Sequence, residues 1–126
     1  MRNGIEMEVI SMVVNDEFGV MQRIMGEFTR RKINVDTIVV GKCELPGKSR
    51  VVLTVSDRTQ AEWAADSLQR LHDVLHVELV DESHQEAYAL VGNGAGKARL
   101  IGSIEEVEKM LRATNPDRFI RAVNAI

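Results

Sequence analysis

The chain predicts an α+β fold: a four-stranded antiparallel sheet with two helices on one face, in ferredoxin-like βαββαβ order, followed by a short αβ extension. Three observations carry that reading. Short β-branched runs alternate with apolar stripes at helical spacing, polar glycine-containing turns separate them, and their order through Val80 is strand, helix, strand, strand, helix, strand. Two right-handed crossovers in that order close naturally into an antiparallel sheet. The 126 residues and 44% apolar content suit a single core with an appendage. The expected division is a domain over residues 1–80 and an extension over 81–126.

The first strand is read over Met7–Val14, apolar on both alternating faces beyond Glu8, as a central strand should be. The polar turn Asn15-Asp16-Glu17-Phe18-Gly19 follows. Val20, Met21, Ile24, Met25 and Phe28 then recur on one helical stripe. Arg30-Arg31-Lys32 complements the partial negative charge at the helix end, and Asn34 acts as a stop.

Val35–Val40 and Arg50–Val55 read as two strands joined by the turn residues Leu45-Pro46-Gly47-Lys48. Thr59 and Glu62 have capping-box spacing, and Ala61, Ala64, Ala65, Leu68 and Leu71 give the second helix a narrow stripe. In Val74–Val80 the side chains Leu75, Val77 and Leu79 share one expected face. Because the strands are apolar on both sides while the helices cover one, the bare face must be hidden by another chain or by the tail. Oligomerisation is the simpler expectation.

In the extension, Tyr88–Val91 is strand-like, Gly92-Asn93-Gly94-Ala95-Gly96 reads as a flexible connector, and Ser103 with Glu106 opens a helix carrying Ile104, Val107 and Leu111. Asn115-Pro116 is expected to end it and to start a further short helix anchored by Phe119, Ile120 and Val123.

Composition narrows the function classes. Sixteen basic against nineteen acidic residues give a charge of -3, so no cationic surplus draws the chain to polyanions. The early strands also lack the aromatics on which RNA bases stack, leaving Arg30-Arg31-Lys32, Lys42, Lys48 and Arg50 as a solvated basic face. No nucleic-acid partner is expected. The single Cys43 permits no intramolecular disulfide, the opening Met1–Glu6 lacks an apolar leader, and no run approaches a membrane span. A cytoplasmic location with no membrane contact is the expectation. Gly92–Lys97 is too short for a phosphate loop, and His72, His76 and His84 are not spaced for a metal, so no cofactor or metal is expected.

The turn into the first helix is the informative corner. Gly19 lets backbone amides approach a ligand, and a helix start presents unpaired donors that favour a carboxylate. Asp16 supplies an acceptor for an ammonium, Asn34 supplies both donor and acceptor, and Val20, Met21, Val35 and Ile38 offer apolar contacts. A free amino acid fits these chemistries. So does a plain turn and helix cap, and the residue types alone leave both readings open.

The stretch Val13–Val20, the helix end Phe28-Thr29-Arg30-Arg31, Asn34-Val35, the hairpin Leu45-Pro46-Gly47-Lys48-Ser49-Arg50 and the later Leu71-His72-Asp73-Val74-Leu75-His76-Val77 closely resemble the regulatory (small) subunit of acetolactate synthase. The resemblance covers about residues 6–80. It implies an ACT domain, a small-molecule-sensing version of this fold, with valine or a related branched-chain amino acid bound at a dimer interface. It places Asp16, Gly19, Val20 and Asn34 at that site, with Met21 and Val35 flanking it.

The resemblance further implies a homodimer and a non-catalytic role. The partner would be the thiamine-diphosphate-dependent catalytic subunit, which the small subunit activates and subjects to feedback inhibition. Where Asp16 stands the family usually has asparagine, and a carboxylate there would attract an effector's ammonium and repel its carboxylate. The alternative is a stand-alone ACT-type sensor acting on another partner.

Overall fold

A computed structural model describes residues 7–126. The leader reading of Met1–Glu6 lies outside the described residues. The chain runs β1 (Glu8–Asn15), α1 (Val20–Arg30), β2 (Thr37–Lys42), β3 (Lys48–Val55), α2 (Arg58–Leu68) and β4 (Val74–Leu79). It continues through a 3₁₀ turn (Glu82–His84), β5 (Gln85–Asn93), β6 (Gly96–Gly102), α3 (Ile104–Thr114) and β7 (Arg118–Ala125). The first four strands form one antiparallel sheet in the order β2-β3-β1-β4, the α+β ferredoxin-like arrangement that the sequence predicts.

β1 takes a central place because it can be buried on both sides: Val9 to Val14 are all buried. Its odd and even positions serve two different cores. Ile10, Met12 and Val14 meet Val51, Leu53 and Val55 of β3, together with Val20, Ile24 and Phe28 of α1 and Ala61, Ala64 and Leu68 of α2. Full burial of side chains such as Ile24 and Leu68 contributes about 1.5–3 kcal/mol each. Small side chains at Ala61 and Ala64 let α2 lie close to the strands.

The opposite face is covered by the extension, where sequence reasoning favours a second chain. Met7, Val9 and Val52 join Ala87, Ala89, Val91, Val123 and Ala125 of a second antiparallel sheet, ordered β6-β5-β7, with Ile104, Val107 and Leu111 of α3 in the same core. Between them Thr37 and Thr54, both buried, share a hydroxyl–hydroxyl hydrogen bond of 2.7 Å, so polar groups on that face are satisfied.

Four local expectations are corrected. The segment after Asn115-Pro116 is the strand β7 and not a helix: Asn115 ends α3 in the left-handed conformation (φ 46°), and the open edge of β5 pairs with residues 118–125. Tertiary pairing thus overrides a weak helical stripe. The glycine-rich stretch is the turn of the β5–β6 hairpin, with Asn93 opposite Gly96.

Capping of α2 comes from Asp57, whose carboxylate accepts from the Thr59 amide at 2.8 Å, and not from the Thr59–Glu62 pair. A register shift between Val13 and Val14 opposite β4 skips Leu75, which turns outward at 52% exposure while Val74 and Val77 face the core. The Ser103–Glu106 capping box is present in both directions, at 3.0 and 2.8 Å.

Candidate functional site

The corner between β1 and α1 is built from three parts of the chain. The Asn15 amide donates to the Asp73 carbonyl at 2.9 Å, and the Asp16 amide donates to the Gly47 carbonyl at 3.0 Å. The loop therefore rests between the β2–β3 turn and the approach to β4. Gly19 caps the helix at φ +84°, a left-handed conformation that glycine adopts without steric cost, and no side chain caps the amides that open α1. Unpaired amides at a helix start favour an anionic group.

Side chains from distant positions add charge there. The Arg23 guanidinium lies beside Gly19 and is held by Asp73, with Nε donating to Oδ2 at 2.6 Å. Lys48 Nζ donates to Asn15 Oδ1 at 2.8 Å, and Lys42 Nζ sits 3.6 Å from Asp16 Oδ2. Three cations thus border the corner. Sequence reasoning assigns Lys42 and Lys48 to a solvated face and passes over Arg23, because only the fold brings residues so far apart in sequence together.

The six predicted site residues fall into two groups. Asp16, Gly19, Val20 and Met21 lie at the start of α1, whereas Asn34 and Val35 follow its other end. A helix of 11 residues separates them by about 16 Å. A single chain does not bring the two groups together. Val20 is 2% exposed and Met21 packs on the core, so the side chain of Val20 supports the corner from beneath. Asn34 is exposed, Val35 is half-buried and Phe18 is fully exposed at the tip of the loop.

Asp16 and Lys42 also locate the corner relative to β2: it stands at that strand's last residue, and Asn34-Val35 stand just before its first. Among the described residues β2 hydrogen-bonds to β3 alone, which leaves its outer edge open there, and Ile38 and Val40 are exposed beside it at 40% and 49%. An open edge of this kind presents unpaired N–H and C=O groups on which another strand can pair.

Elsewhere, a cleft of about 590 Å³ lies between Lys42, Cys43 and Glu44, Arg50, and residues 83–86 and 124–126. Glu44 occupies the Arg50 guanidinium there through both oxygens, at 2.9 and 3.0 Å. Among the described residues, no group of three or more His, Cys, Asp or Glu side chains is placed to hold a metal ion, and no helix is long and apolar enough to cross a membrane.

Comparison with known proteins agrees with this architecture. The model of the AHAS small subunit-like ACT domain matches residues 10–76. A probable acetolactate synthase small subunit from Methanothermobacter thermautotrophicus is 40% identical over 78 residues, covering 58% of this chain and 46% of the relative. The acetolactate synthase small subunit of Bacillus subtilis is 37% identical over 71 residues, covering 55% and 41%. The chain spans about half the length of the curated relatives it matches.

Among solved structures, the acetolactate synthase small subunit from Thermotoga maritima superposes with a TM-score of 0.76 at 21% identity, covering 97% of both chains. The regulatory subunit of aspartate kinase from Thermus thermophilus, in its ligand-free form, gives 0.60 at 19%, covering 89% of this chain and 93% of its own. At such identities these two show a shared fold. With more than half of the chain matched by the family model, and the strand order, the glycine corner and the open β2 edge in place, the chain belongs to the family of AHAS small subunit-like ACT domains.

Proposed function

We propose that this chain is a non-catalytic regulatory subunit of acetolactate synthase acting in the cytoplasm, with its ACT domain over residues 1–80 and an extension over 81–126. Two chains pair through their β2 edges and together hold a branched-chain amino acid, valine foremost. The observation that carries this reading is the position of the two half-sites at opposite ends of an open strand. Antiparallel pairing of β2 with its two-fold mate sets the start of one strand against the end of the other. Asn34 and Val35 of one protomer then approach Asp16, Gly19 and Met21 of its partner, and two identical sites form.

In that arrangement the effector's carboxylate meets the α1 amides and the cations around them, its ammonium meets Asp16 and the Asn34 carbonyl, and its side chain lies against Met21 and Val35. A ligand bridging two protomers favours the dimer arrangement that it fits best. If the thiamine-diphosphate-dependent catalytic subunit prefers the other arrangement, the two binding events oppose each other by a reciprocal coupling of about 1–3 kcal/mol.

Calorimetric titration with valine, leucine and isoleucine tests the site. Gly19→Val is expected to abolish binding, and Asp16→Ala to weaken it about tenfold. Unchanged affinity in both variants would reject the site.

A further inference from the structure

Among the described residues, no element packs on the outer face of the second sheet. Its cross-strand rows are Ile101, Tyr88 and Ala122, then Arg99, Leu90 and Ile120, then Lys97, Gly92 and Arg118. Ile120, Ile101 and Tyr88 are 69%, 55% and 38% exposed, around the half-buried Leu90 and Ala122. These apolar side chains occupy adjacent cross-strand rows of one face, and an exposed apolar patch of this kind on a monomer is often functional.

One end of this face is cationic. Lys97 and Arg99 are exposed and meet no carboxylate within 4.0 Å among the described residues. Arg118 lies flat across the sheet where Gly92 leaves room, since a Cβ there would stand 2.8 Å from its Cζ, and it donates to the Gly94 carbonyl at 3.3 Å. Beside Leu90, Arg118 and Ile120 is a shallow hollow of about 250 Å³. Among the described residues, the far end of the face carries one carboxylate, Glu86.

We infer that this face docks on the catalytic subunit, against an apolar ridge bordered by carboxylates, so that Lys97, Arg99 and Arg118 meet acidic side chains while Tyr88, Ile101 and Ile120 are buried. The inference rests on the function proposed above and names the surface that would serve it. Charge complementarity selects the occupant. Face to face, a second copy of this chain would set three cations against three with Glu86 as the carboxylate of the face, and a nucleic acid would find two aromatic rings, Tyr88 and, at the rim of the hollow, Phe119, among branched aliphatic side chains that do not stack with bases.

The face also stays free when β2 edges pair. A two-fold axis perpendicular to a continuous sheet leaves both pairs of ACT helices on one side and both extensions on the other. Each dimer then presents two such faces in the same direction, which suits bivalent attachment.

The test uses the full chain and the purified catalytic subunit in an equilibrium binding assay at two salt concentrations. Lys97→Glu with Arg99→Glu, and separately Ile101→Ser with Ile120→Ser, are each expected to weaken binding at least tenfold, and the charge variant is expected to lose most of the salt dependence. Valine titration and sedimentation equilibrium should match the parent, because these exposed positions touch neither the corner nor β2.

If the parent binds the catalytic subunit and both variants bind within twofold of it, the face is wrong while the regulatory function stands. If the parent does not bind, the regulatory function falls and the docking surface with it. Tetramers of the parent that Ile101→Ser with Ile120→Ser reduces to dimers, or capture of a 20-mer oligouridylate that Arg99→Glu abolishes, would assign the face to another occupant and overturn the inference.

Discussion

Gly19→Ala is the most informative substitution, because the backbone, the neighbouring contact and the control can each be read from the structure. At φ +84° an L-residue places its Cβ against the following carbonyl, a cost of about 1–2 kcal/mol. The new Cβ would also stand 3.1 Å from Nη1 of Arg23, the far end of a flexible side chain. Moving it loosens the Arg23–Asp73 ion pair, which is half exposed on the arginine side and adds no more than about 1 kcal/mol.

The expected loss is therefore about 1–3 kcal/mol in urea unfolding at pH 7, with an unchanged m-value. Gly19→Asn supplies the control, because asparagine tolerates the left-handed region. It should cost less than alanine despite being larger. Asparagine costing as much as alanine, or alanine within 0.3 kcal/mol of the parent (about 1 °C in Tm), would refute the conformational account of this glycine.

Glu27 is buried between α1 and α2, where Ser67 donates to its Oε1 at 2.5 Å, Arg30 pairs with Oε2, and Arg31 reaches Ser67 at 3.3 Å. The Ser67 hydroxyl first, and Arg30 second, hold its carboxyl below the ordinary value of 4.5, with burial opposing them. Its folded pKa is lower than its unfolded one, so its contribution is complete above about 4.5 and is lost as pH falls through the folded value. Ser67→Ala should cost about 1–3 kcal/mol at pH 7 and less at pH 3 in urea titrations. Phe28→Ala, deleting a 2% exposed ring from the helix-side core, should cost about 3–5 kcal/mol by the same measurement. Ending the chain after Val80 should uncover Val9 and Val52 and raise binding of an apolar fluorescent dye, whereas a truncated chain as dye-silent as the parent would show that the extension is not the cover of that face.

The elements that sequence reasoning places well are those whose burial is one-sided or complete. Val20, Ile24 and Phe28 repeat at helical spacing because only one stripe of α1 is buried, and β1 is apolar throughout because both its faces are. The extension was less legible. Phe119, Ile120 and Val123 satisfy a helical spacing as well as a strand, and the choice fell to the edge that β5 leaves open. Leu75 shows the same limit at one residue, since a register shift is a property of two strands and not of one.

For the corner, the sequence by itself supplied a glycine ahead of α1, the carboxylate of Asp16 beside it, Asn34 beyond the helix, and the motifs that resemble a known family. Tertiary structure alone decided that Arg23 lies beside that glycine while Lys42 and Lys48 reach Asp16 and Asn15 of the same loop, that Asn34 and Val35 stand about 16 Å away beyond α1, and that the extension closes the second face of the sheet. The physical reason is range. Backbone conformation and helical spacing are set by neighbours a few residues apart, whereas ion pairs, sheet edges and covered faces join segments that the linear order keeps far from one another.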